Sequence, residues 1–351
     1  MSRRTSSRGR ALFAVALLVF LTQFVSTASG DQAEKSLAQT RPTLACEVTG
    51  EARLTGPLTI YSRAAGGRAL ARLTGAPVKI SVADFPRRAA GARARVRTAP
   101  RGEGLSVSGF ASVGPIQFVT RDRGAIVPGH VWLEAGEPVF VTRAASKRLE
   151  VRARLAAPLD QEVTVRVHCA DLALDPMARE STPVPGEARG YAARGRSLGL
   201  FDRPEAGAQP VFTLRRAEAS SAILFFSTES RGDWVRVRLA ADVVVDAWAR
   251  AADLDALPEG ETMDQLAPPD RDLAPQLQLE GKPEVLLATE LLPLRIRATK
   301  RSSPVGTIQP NTRLYAIDQV AGWISVLPTS LSMTAPDGGP FWISEAALRP
   351  R

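Results

Sequence analysis

Chemistry-bearing residues are scarce in this chain. It has two histidines, His130 and His168, and two cysteines, Cys46 and Cys169, with no CxxC pair. That leaves almost no basis for a zinc site. There is no Gly-x-Ser-x-Gly nucleophile turn, and no nucleophile motif surrounds either histidine. Acidic pairs such as Asp253 and Asp255 lack the acceptor density of a calcium loop. Past the N-terminal region no apolar run is long enough to cross a bilayer. The expectation is a protein without catalytic residues, metal or cofactor, and not an enzyme.

Lysine is also scarce: Lys35, Lys79, Lys147, Lys282 and Lys300 are the full set, and Asn311 is the single asparagine. Arginine supplies nearly all the positive charge. The formal net charge is +9, and four of those charges are Arg3, Arg4, Arg8 and Arg10, which leaves about +5 beyond them. Such arginine use fits a coding bias toward GC. The competing reading is a surface for nucleic acid or an acidic polymer. The arginines alternate through apolar positions without forming a block, as on the wet faces of sheets, and this favours the first reading.

The N-terminal residues read as an export signal. The four arginines precede an apolar run from Ala11 to Leu21, and small residues follow at Ser26, Ala28 and Gly30. This is the order of a secretory signal peptide over residues 1–30, with cleavage near Ala28 or Gly30. Thr5-Ser6-Ser7 stands where a twin-arginine signal would be apolar, and Cys46 lies too far downstream for lipidation. The expected location is periplasmic or secreted. An oxidising compartment and an even cysteine count predict one Cys46–Cys169 disulfide, with two buried free thiols as the alternative.

What is abundant is a strand-rich unit of roughly fifty residues, repeated four times. The copies open at Leu58-Thr59-Ile60, Ile116-Gln117-Phe118, Leu198-Gly199-Leu200 and Leu294-Arg295-Ile296. Each closes on a ring six positions before an aliphatic residue: Phe110 and Ile116, His168 and Leu174, Trp248 and Leu254, Trp342 and Leu348. The closing rings are expected in the core, with His168 among them. Inside each unit a turn is expected at Gly75, Gly136 or Asn311, residues that tolerate positive φ. The third unit has no such residue between Leu214 and Ile223, so a longer loop is expected. A strictly alternating strand follows, as in Ala94-Arg95-Val96-Arg97 or Trp234-Val235-Arg236-Val237, with one buried face and one wet face. Five short strands without an amphipathic helix indicate a small antiparallel barrel.

The fourth unit reads Leu294-Arg295-Ile296-Arg297-Ala298, Val305-Gly306-Thr307-Ile308, Gly322-Trp323-Ile324-Ser325-Val326 and Phe341-Trp342-Ile343. It resembles the bacterial SH3-like (SH3b) domain. The third is similar through Gly232-Asp233-Trp234-Val235-Arg236-Val237 and Ala247-Trp248-Ala249. The first two join by internal alignment and lack the central Trp. The resemblance implies an all-β chain of about four tandem SH3-like antiparallel barrels. The boundaries are a disordered segment over 31–45, units at 46–115 and 116–175, a linker at 176–189, a third unit at 190–257, a Pro-rich acidic linker at 258–284 and a fourth unit at 285–351. The first two units abut through Ile116, and the fourth is expected to hang on the linker as a tethered module.

In exported proteins such domains look like binding modules for cell-wall peptide or glycan, or for envelope proteins. That implies such a partner here, with no nucleic acid and no membrane span in the mature chain. In the resembled fold the position of Trp323 and Trp234 lines a peptide groove; the bland reading half-buries both in their own barrels. A site in the fourth unit would centre on Trp323, with Tyr315 and Arg297 beside it, Arg297 serving as a donor for a carboxylate. The alternative role is a scaffold whose barrels pack on one another. Trp132 has no counterpart in the other units and reads either as an edge-packing residue or as an exposed anchor. Arg231-Gly232-Asp233 reads as a hairpin turn.

Overall fold

A computed structural model describes residues 43–74, 77–87, 92–98, 104–159, 161–178, 185, 187–217, 222–258 and 283–350. The expected signal peptide lies outside them, as do most of the segment before Cys46, Gly75 and most of the acidic linker. The described chain is all-β with antiparallel pairing, apart from three single turns of 3-10 helix.

Four strand groups follow one another. The first holds β1 (Thr43–Leu54), β2 (Leu58–Tyr61), β3 (Ala69–Leu73), β4 (Val78–Pro86), β5 (Ala94–Thr98) and β6 (Leu105–Ala111). The second holds β7 (Ile116–Thr120), β8 (Gly124–Val127), β9 (Val131–Leu133), β10 (Pro138–Ala145), β11 (Arg148–Arg154), β12 (Glu162–Val167) and β13 (Leu172–Ala173). The third holds β14 (Arg189–Ala193), β15 (Ser197–Leu200), β16 (Phe212–Arg215), β17 (Leu224–Ser227), β18 (Ser230–Arg231), β19 (Trp234–Ala240), β20 (Val243–Arg250) and β21 (Leu254–Ala256). The fourth holds β22 (Glu284–Ala288), β23 (Leu292–Leu294), β24 (Gly306–Ile308), β25 (Arg313–Val320), β26 (Trp323–Pro328), β27 (Met333–Thr334), β28 (Phe341–Ser344) and β29 (Leu348–Pro350).

One wiring diagram serves all four groups. An opening strand is followed by a hairpin, then by three meandering strands. The last of these leads to a short strand that returns to the opening one. Thus β7 pairs with β10 and β13, β14 with β17 and β21, and β22 with β25 and β29. In the last three groups a 3-10 turn precedes the returning strand, at Cys169–Asp171, Ala251–Asp253 and Glu345–Ala347. In the first group the start of β7 plays the returning part, because Leu54 pairs with Ile116 and Arg53 with Gln117. Ile116 therefore belongs to two units at once, and no linker separates them.

Two sequence expectations are corrected here. The repeat begins one strand earlier than its apolar openings, at β1, β14 and β22. In the second group Ile116 itself lies on the opening strand, so it is not equivalent to Leu58, Leu198 and Leu294. The closing register of the second group is also displaced by two residues. Leu254, Leu348 and Leu172 are the residues that follow their 3-10 turns, not Leu174. His168 is accordingly not a core ring but an exposed residue preceding the turn, its N–H donating to Asp171 Oδ2 at 2.8 Å. A slip of two residues leaves each side chain on its original face, so alternation could not reveal it.

Turn chemistry follows the residues. Gly136 and Asn311 have φ of 81° and 64°. The connection between β16 and β17 is longer than those between β9 and β10 or β24 and β25. Gly232 and Asp233 form a tight turn between paired Arg231 and Trp234. The chain's cysteines are joined as a Cys46–Cys169 disulfide with Cα atoms 6.2 Å apart, linking β1 to the second group.

The groups also share sheets. β20 pairs with β9, aligning Val244 with Trp132, so the β8–β9 hairpin of the second group extends the third group's sheet, while its other strands stay in the first group's sheet. β24 pairs with β6 and β27 with β3, which joins the fourth group to the first. The spatial order is therefore fourth, first, second, third. The fourth unit is not a free module on a tether: β23, β24 and β27 extend the first unit's sheet, while β22, β25, β26, β28 and β29 form a sheet of their own. Trp132 is half-buried on β9, an inner strand of its sheet, between Ala125 and Val244, and so is neither on an edge nor fully exposed. No closed barrel is found among the described residues; the hydrogen-bonded paths are open.

Candidate functional site

Trp234 and Trp323 each open a central strand directly after a two-residue turn, Gly232-Asp233 and Ala321-Gly322. At the second turn both residues have positive φ, 47° and 79°, the geometry that suits the twist of a hairpin. The turn places each indole at the end of its sheet, half-buried.

A second element meets each indole there. In the third group the chain leaving β15 bridges to β20: Phe201 and Trp248 exchange backbone hydrogen bonds of 2.8 and 2.9 Å. This sets Phe201 edge-on to Trp234, with ring centroids 5.0 Å apart and planes at 82°, a favoured aromatic arrangement. Arg250 stands 5.4 Å from the Phe201 ring and 5.8 Å from Trp234, and Arg231 stands 5.2 Å from Trp248. Cation–π attraction holds guanidinium groups in such places. Arg236 donates to both oxygens of Asp246 and to Glu229, and Arg231 also donates to Glu229. Hydrogen bonds from Arg236, then from Arg231, hold the Glu229 carboxyl below the usual carboxylate range. Among the described residues Arg250 has no carboxylate partner, and its contacts are with the Phe201 and Trp234 rings.

The same junction recurs in two other groups. In the fourth, Arg295 exchanges backbone hydrogen bonds of 3.0 and 2.7 Å with Trp342, and its guanidinium lies 6.0 Å from the Trp323 ring. That guanidinium donates to the carbonyls of Ser302 and Lys300, while its buried Nε has no hydrogen-bond partner among the described residues. In the first, Arg93 immediately precedes β5 as the tryptophans open their strands. It lies 3.4 Å from the Tyr61 ring and donates to Gly66 O at 2.6 Å. Tyr61 pairs with Phe110. Three groups thus carry an aromatic contact, ring edge on ring or cation on ring, at one equivalent place. In the second group Arg148 opens β11 at this position, and no such aromatic contact is found there among the described residues.

The expected site in the fourth group is only partly assembled. Arg297 is exposed in the loop beyond β23, and the guanidinium over Trp323 belongs to Arg295. Tyr315 lies opposite Leu327, whereas Trp323 lies opposite Val320. Four residues of β26, about 13 Å of strand, separate them. Arg295 was hidden in the sequence because Arg295 and Arg297 alternate identically; the bridge to Trp342 picks out the first. Among the described residues no cluster of His, Cys, Asp or Glu could hold a metal ion, and no helix is long and apolar enough to cross a membrane.

Fold and site together define a class: an all-β chain of repeated antiparallel strand groups, with an aromatic or cation–π contact at the sheet end in three of them. Neither known protein families nor curated proteins give a match to this chain.

Proposed function

We propose that this is an exported, non-enzymatic binding protein of the cell envelope. Its strand groups are SH3-like units, and it recognises cell-wall peptide or glycan, or an envelope protein, at the Trp234–Phe201–Arg250 cluster and the Trp323–Arg295 pair. The observation that carries the reading is the recurrence, at one equivalent place, of an aromatic contact with a half-buried ring: Tyr61, Trp234 and Trp323. Ring faces give apolar contact to a sugar or peptide backbone, and a neighbouring guanidinium gives a donor for a carboxylate. The disulfide supports a periplasmic or secreted location, because such bonds persist in oxidising compartments.

A second reading has its own observation. The pairing of β24 with β6 and of β20 with β9 buries unit against unit, as in a scaffold with no small ligand. Sedimentation with purified cell-wall sacculi separates the two. The binding reading expects the protein to pellet with sacculi, and Trp234→Ala combined with Trp323→Ala to abolish this while leaving the circular dichroism spectrum unchanged. Failure of the unaltered protein to pellet, or undiminished pelleting of the double variant, would leave the scaffold reading in front.

A further inference from the structure

A cleft of about 260 Å³ opens on the outer face of the first group's sheet, lined by Glu47, Ser81, Ala83, Arg95, Arg97 and Ser108. Register accounts for its make-up. Glu47 lies opposite Ala83 and Ala83 opposite Arg95; one rung further, Ser81 lies opposite Arg97 and Arg97 opposite Ser108. Paired residues share a face of the sheet, so all six point the same way. The small side chains of Ser81, Ala83 and Ser108 make the floor. Glu47 rises from β1 on one side, and Arg95 and Arg97 rise from β5 on the other.

The two walls are not paired with each other. Two strand spacings, about 10 Å, separate β1 from β5, and no ion pair joins Glu47 to either arginine among the described residues. Ser81 is 6% exposed, and its hydroxyl donates to the Glu47 carboxylate, which aims that group over the floor. Arg95 is tied to Asp84 at 3.1 Å. Arg97 has no partner among the described residues. The wall is also held in shape. β1 shifts register between Leu44 and Glu47, and Asp84, facing that stretch, has φ of 55°, a left-handed conformation that Asp adopts more readily than most residues other than glycine. Cys46 sits within the irregular stretch and is bonded to Cys169.

A simple anion drawn to Arg97 would also meet Glu47, and a simple cation drawn to Glu47 would meet two guanidinium groups. A molecule carrying both charges on one carbon satisfies both walls. We propose that this cleft binds the α-amino-acid group, with its ammonium on Glu47 and its carboxylate on Arg97, Ser108 and Arg95 supplying further donors. The group could belong to a free amino acid or to the zwitterionic end of a larger molecule.

The test is titration of the full-length protein, followed by amide shifts at Ala83, Arg95 and Arg97. Alanine should move these signals. N-acetylalanine, which keeps only the carboxylate, and alanine methyl ester, which keeps only the ammonium, should bind at least about tenfold more weakly. Glu47→Gln and Arg97→Gln, both at exposed positions, should each weaken alanine binding about tenfold with the melting temperature unchanged. Nε-acetyllysine distinguishes the sources: binding equal to alanine assigns the cleft to an amino-acid head on a larger body, and much weaker binding assigns it to a free small amino acid. The proposal is overturned if alanine binds no better than its two half-charged analogues, if it does not bind, or if both variants bind it as well as the unaltered protein does.

Discussion

Phe341 and Trp342 are neighbours on β28, yet only Phe341 is fully buried, at 0% exposure, while Trp342 is half-buried. The repeat spacing had put the indole in the core; the pleat gives that place to the phenylalanine. In the third group Trp248 is itself buried, at 7%. Phe341→Ala and Trp248→Ala should each cost about 3–5 kcal/mol in denaturant unfolding, and Trp342→Ala clearly less. Equal losses for Phe341→Ala and Trp342→Ala would return the indole to the core. Glu229 supports a pH prediction. Its folded-state pKa is depressed, first by Arg236 and then by Arg231, so its contribution is present at neutral pH and is lost as pH falls below about 4.5. The drop in melting temperature on acidification should be smaller in Glu229→Gln than in the unaltered protein.

At the scale of elements the junction between β6 and β24 depends on one glycine. A Cβ at Gly306 would lie 2.1 Å from the carbonyl oxygen of Ser106 and 2.8 Å from Val107 Cγ2. Only a residue without a side chain permits this approach. Gly306→Val should loosen the fourth group from the first at a cost of about 1–3 kcal/mol, read as faster amide exchange at Ser106 and Val107. Gly114→Ala, where the nearest atom is 3.7 Å away, should be silent. The strands themselves were largely legible. The alternating runs at 94–97, 151–154 and 234–238 lie within β5, β11 and β19, because a half-wetted sheet face demands that period. The turns at Gly136, Asn311 and Gly232 were legible for the same local reason. The opening strands β14 and β22 were missed, since Arg189–Ala193 and Glu284–Ala288 have too little alternation to announce a strand.

At the scale of the molecule, shared sheets and one disulfide bind the groups. The fourth, first, second and third groups are hydrogen-bonded in series, so heating should give one calorimetric transition rather than a succession of domain transitions. The Cys46–Cys169 bond closes a separation of 123 residues, and the chain-entropy view assigns such a loop about 5 kcal/mol. Cys46→Ser with Cys169→Ser should lower stability by up to that amount. If the double variant also melts in two steps, the bond is what keeps the first two groups in register.

The sequence by itself determined that the chain is all-β, that it repeats and where most of its turns fall, and it favoured the pairing of its two cysteines, which the structure decided. Each of these rests on local chemistry: a period of two, a residue that accepts positive φ, an even count of thiols. It also put Trp234 and Trp323 at the heads of their strands. Only the tertiary structure decided which arginine stands over Trp323, that His168 lies outside the core, and that the fourth group joins the first. The reason is common to all three. Sheet pairing joins residues far apart in sequence, and a strand's alternation is unchanged by a shift of two or by the identity of its neighbour. The partner of an edge is therefore written in the fit of whole surfaces, as at Gly306, and not in the strand's own pattern.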